Sequence, residues 1–116
     1  MPALVATWYI AAAGADLFCG GTYDTSETWV ALPYGGEWDC GDLIAVWFVE
    51  ERVLLLAEVR DTGPFGQNCV LQENGLCVSI GVDVPKHAYP VKGVLSAKVV
   101  LCNLTATAKA RRVGVQ

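Results

Sequence analysis

Asp61 stands where a side chain can do chemistry. It follows a run of β-formers, Val53–Arg60, and precedes Gly63-Pro64, a place from which a carboxylate can project into a groove. A carboxylic acid whose surroundings raise its pKa can hand a proton to a leaving oxygen near neutral pH. The competing role for such an aspartate is to cap its own turn through the Gly63 N–H. Arg60 would lower the pKa of Asp61 if the two side chains met. The other reactive types are few: one histidine, His87, and five cysteines. No cysteine pair has the C-x-x-C spacing, so neither a zinc site nor any other metal or cofactor is expected. Five cysteines in so short a chain suggest disulfides. Cys69 and Cys77 flank a Gly-containing loop, and Cys19 and Cys40 flank a long connection. That leaves Cys102 unpaired and buried in the last strand. The alternative is five reduced thiols packed as small hydrophobes.

Trp29 and Trp38 fall in connecting segments, with Tyr23 and Tyr34 nearby. Flat apolar faces of this kind suit stacking on sugar rings, with packing as the alternative. Trp8 and Trp47 fall inside strand-like runs and read as core.

These residues must be held by a small scaffold. The chain has 116 residues, 53% of them hydrophobic and 17% charged, enough for one compact domain. Its net charge of −4 argues against a nucleic-acid partner. No apolar run is long enough to span a membrane. Met1–Gly14 resembles an export signal only in its alanines; it lacks basic residues, Trp8 and Tyr9 interrupt it, and it reads as the first strand. The β-rich runs are Leu4–Ala11, Thr28–Pro33, Leu43–Val49, Val53–Arg60, Val78–Val82 and Leu95–Leu101. Glu50-Glu51-Arg52 joins two of them into a hairpin. One helical turn is expected after Pro85. Residues 1–105 therefore read as an all-β domain and 106–116 as a polar tail.

Several segments resemble, in order, those of the rare lipoprotein A and expansin–barwin domains. Ala6-Thr7-Trp8-Tyr9 is similar to "A-S-W-Y", and Thr22-Tyr23-Asp24 to "x-F-D". Ala31-Leu32-Pro33-Tyr34-Gly35 is similar to "T-L-P-F-G". Cys40-Gly41-Asp42 with Ile44 and Val46 is similar to "C-G-D-x-I-x-V", Val59–Phe65 to "V-x-D-R-G-P-F", and Val82–Pro85 to "I-D-L-S". The resemblance covers about Ala6 to Asn103. It implies a six-stranded double-psi β-barrel with one or two short helical turns and a groove across one face.

The resemblance also implies a ligand, a polysaccharide of the peptidoglycan type, and a site. Asp61, Asp83 and Asp24 match its acidic positions, and Thr7, Trp29, Tyr34 and Trp38 would contact the glycan. Asp83 has a competing role as N-cap of the turn after Val84, and Asp24 as an ordinary loop residue. Trp29 stands where these domains carry a histidine, which moves the expectation from cutting toward binding. Three functions follow: a glycan-binding or wall-loosening domain, a lytic transglycosylase with Asp61 as its acid, or a structural part of a virion or cell surface with protein partners. All three place the protein outside the cell or facing its envelope.

Overall fold

The computed structural model describes residues 4–33, 36–63, 71–73, 76–78, 80–93 and 96–114. Its strands are β1 (Leu4–Tyr9), β2 (Trp29–Pro33), β3 (Leu43–Phe48), β4 (Val53–Gly63), β5 (Leu71–Glu73), β6 (Leu76–Val78), β7 (Ile80–Pro85) and β8 (Ser96–Asn103). Six of them close a barrel in the order β1-β7-β2-β4-β3-β8, and β5 and β6 form a separate hairpin. β1 runs parallel to β7 and β2 parallel to β4; the remaining barrel pairs are antiparallel. The all-β class and six-stranded barrel expected from the sequence are present, and the mixed pairing is compatible with a double-psi arrangement.

Alternation along the strands fills the barrel. Ile44, Val46 and Phe48 of β3 point inward, as do Ala57 and Val59 of β4, Val82 and Val84 of β7, and Ala97 and Val99 of β8. Each fully buried large apolar side chain contributes roughly 1.5–3 kcal/mol. The same parity corrects two expectations. Trp47 lies one residue out of phase with Val46 and Phe48, so it faces outward at 40% exposure, opposite Leu54. Cys102 is out of phase with Ala97 and Val99, and it is exposed rather than buried.

Each parallel pair carries one irregularity. Between β1 and β7 the register steps from Val5↔Ile80 to Ala6↔Val82, leaving Gly81 unmatched. Between β2 and β4 it steps from Val30↔Val59 to Ala31↔Asp61, leaving Arg60 unmatched. β4 continues through Gly63, past the expected end at Arg60, because β2 pairs with it as far as Pro33↔Gly63.

A helix, α1 (Leu104–Gly114), runs through most of the polar C-terminal segment. Asn103 Oδ1 accepts the Ala106 N–H at 2.9 Å, an N-cap, and its backbone carbonyl accepts from Thr107 Oγ1 at 2.9 Å. The signal was present in an asparagine followed by spaced alanines, with basic residues toward the helix C-terminus. The expected helical turn is a 3-10 turn, Lys86–Ala88. No described helix is long and apolar enough to cross a membrane.

Candidate active site

Strand register assembles the site. Thr7 of β1 pairs with Asp83 of β7, Asp83 with Ala31 of β2, and Ala31 with Asp61 of β4. Four neighbouring strands thus contribute one transverse row, with only a methyl side chain between the two aspartates. Thr7 Oγ1 donates to Asp83 Oδ1 at 3.0 Å. Burial pushes the Asp83 pKa from 3.8 up to about 6. Hydrogen bonds from Thr7 and the Val84 N–H oppose that rise, and the charge of Asp61 adds to it. A carboxyl group in this state exchanges a proton close to neutral pH.

Asp61 is held differently. Tyr9 OH donates to its Oδ2 at 3.1 Å and the Phe18 N–H to its Oδ1 at 3.0 Å. The Tyr9 hydroxyl in turn accepts from Trp29 Nε1 at 2.8 Å. Burial, reinforced by Asp61, drives the Tyr9 phenol well above its ordinary pKa, so it remains a donor. The Phe18 segment is anchored by the Cys19 N–H to Arg60 carbonyl bond (3.0 Å) and by a Cys19–Cys40 disulfide. A small second core of Leu17, Tyr23 and Trp29 lies beneath this connection.

Asp61 therefore receives its hydrogen bonds from two other segments, Tyr9 and Phe18. Arg60 does not meet it; the guanidinium pairs with Glu27 and Glu58. Asp83 lies inside β7 and caps nothing: Pro85 holds the cap position of the 3-10 turn, with no side-chain bond. Asp24 is outside the row. It closes its own turn by accepting the Ser26 N–H at 2.8 Å, and that bond is the main reason its pKa is lowered.

The aromatic residues divide by burial. Trp29 is 0% exposed, wedged edge-on against Tyr23 and His87, so it offers no face to a sugar. Its role is to position Tyr9. Trp38 is half-buried; its Nε1 donates to the Pro33 carbonyl at 2.9 Å and its ring meets Phe18 edge-on at 6.3 Å. Tyr34 and Cys69 lie outside the described residues, as does the Cys77 side chain. Tyr9 and Phe18 escaped the sequence reading as site residues because their contacts are non-local. Tyr9 at least lies in the Ala6–Tyr9 segment that carries the family resemblance.

A separate groove of about 940 Å3 opens on the other side of β1. Trp8 of β1 and Ile10, just past its end, line it, whereas Thr7 and Tyr9 hold the aspartates; within the strand this is the two-residue alternation. Asp61 and Asp83 are not among its described lining residues. Among the described residues no group of three or more His, Cys, Asp and Glu side chains is placed to hold a metal ion. Comparison of the chain with protein-family models and with curated proteins finds no match.

Proposed function

We propose that the protein is a glycan-binding or wall-loosening domain that engages peptidoglycan-type polysaccharide at the Asp61–Asp83 row. The observation that carries this reading is the row itself, two carboxylates aligned across four strands. Carboxylate oxygens accept hydrogen bonds from sugar hydroxyls. The exposed Phe18 ring, whose own N–H holds Asp61, offers with Trp38 the apolar surface that buried Trp29 does not. The Cys19–Cys40 disulfide suits an oxidising compartment, outside the cell or facing its envelope.

The Asp83 pKa of about 6 favours a second reading, a lytic transglycosylase. In that reaction the Asp83 carboxyl proton goes to the glycosidic oxygen as the bond to the anomeric carbon breaks. The sugar's own primary hydroxyl closes on that carbon and gives its proton to the Asp61 carboxylate. In this reading Asp83, whose pKa burial raises, is the proton donor and Asp61 the acceptor. Retention on insoluble peptidoglycan tests the first reading, and mass spectrometry for anhydromuramic-acid ends tests the second, each with Asp61→Asn and Asp83→Asn alongside. Retention without products supports binding, and anhydro ends that vanish in Asp83→Asn support cleavage. Neither retention nor products defeats both readings and turns attention to a structural role with protein partners.

A further inference from the structure

The groove on the far side of β1 has a lining distinct from the carboxylate row. Its body is apolar and aromatic: Trp8, Ile10, Tyr23 and Tyr89 line it, and Ile10 is 63% exposed. A volume of about 940 Å3 is that of a site for a small molecule. Its charged groups are of one sign. Lys86 and Lys92 are on the lining, and no acidic residue is among the described lining residues, in a protein of net charge −4. Lys86 Nζ sits 4.8 Å from the centroid of the Trp8 ring. That contact uses the face of the ammonium toward the ring and leaves N–H donors for an anion. Neither lysine is in an ion pair among the described residues. An apolar trough edged by ammonium groups that form no ion pair among the described residues matches an amphipathic anion: a flat or branched apolar body carrying a carboxylate or a similar acid group.

We propose that this groove binds a small amphipathic anion, with its apolar body on Ile10, Trp8 and Tyr89 and its acid group between Lys86 and Lys92. This inference is independent of the glycan reading, because it uses no atom of the Asp61–Asp83 row.

The test uses anilinonaphthalene sulfonate, an aromatic anion that fluoresces in apolar surroundings, and its uncharged analogue phenylnaphthylamine. The full chain is titrated with each. The anion should bind as a single saturable class, about tenfold more tightly than the uncharged analogue, and its affinity should fall with added salt. Lys92→Glu and Lys86→Glu should each weaken it by about tenfold, and Ile10→Asp should do the same without unfolding an exposed position. Leu54→Gln with Leu56→Gln, on the exposed apolar exterior of β4, controls for adsorption elsewhere. That variant should bind as the parent does. Failure of the parent to bind the anion, equal affinity for the uncharged analogue, or loss of binding only in the Leu54/Leu56 variant would each overturn the proposal.

Discussion

Thr7 and Asp83 face each other across the parallel β1·β7 pair, and the threonine hydroxyl donates to the aspartate at 3.0 Å. That bond favours the charged form of a carboxyl group that burial pushes toward the neutral one. Thr7→Val should therefore raise the Asp83 pKa further above 6. NMR titration of the side-chain carboxyl carbon reads this directly, and an unchanged or lowered value would show that the hydroxyl does not bear on the charge.

Asp83 should also make stability depend on pH. Its folded pKa lies above the unfolded one, so its contribution is fully present below 3.8 and disappears as pH rises to about 6. Two pKa units correspond to about 2–3 kcal/mol, the upper end holding only if water is kept out. Asp83→Asn should remove this dependence and gain about 1–2 kcal/mol relative to the parent above that window. Urea unfolding on either side of it decides the matter; a variant less stable at both ends would show that the charged carboxylate is well accommodated.

The disulfide ties the Phe18 segment to the loop before β3. Its sequence separation of 21 corresponds to about 3 kcal/mol of chain entropy. Cys19→Ser should cost about that much. It should also speed hydrogen exchange at the Phe18 amide, because the N–H that holds Asp61 would lose its anchor. Peptide mapping under non-reducing conditions should find Cys19 joined to Cys40, with Cys102 open to thiol reagents. Protection of Cys102 would contradict its outward phase on β8.

Gly81 is the unmatched residue of the β1·β7 pair, and a Cβ there would lie 2.7 Å from Leu4 Cβ. Gly81→Ala should destabilise by about 1–3 kcal/mol, the usual cost of forcing an atom into a packed site. Leu4→Ala should rescue only part of it, since the clash with Leu4 Cβ remains. A neutral Gly81→Ala would mean that the two strands separate easily.

Asn103 uses both ends of its amide: Oδ1 caps α1, and Nδ2 donates to buried Asp42 at 2.9 Å. The second bond is the main cause of a lowered Asp42 pKa, with the Asp39 N–H adding to it. A depressed carboxyl pKa stabilises above 3.8, and the gain is lost as pH falls. Asn103→Ala should cost about 1–2 kcal/mol, reduce helical circular dichroism, and shrink that loss at low pH. Full retention of helix signal would locate its support elsewhere, as in the bond from the Leu43 N–H to Thr105 Oγ1.

What the chain alone determined is what depends on near neighbours. The β-rich run Leu43–Val49 marks β3, and Glu50-Glu51-Arg52 makes its hairpin; both are legible because strand propensity and turn composition are local. The acidic candidates Asp61 and Asp83, and the Cys19–Cys40 pair, could also be picked out in advance. Tertiary structure decided what each of them touches. Which parity of β3 and β8 faces the barrel interior, fixed by the neighbouring strands, turns Trp47 and Cys102 outward. The unmatched Arg60 and Gly81 set which residues lie side by side, and so place Asp83, Ala31 and Asp61 in one row. Trp29 could stack on a sugar by its type alone, yet the closing of Leu17 and Tyr23 over it makes it a buried prop for Tyr9. The pKa of Asp83 depends on how much water the barrel excludes, and burial of that kind comes from residues distant in the chain.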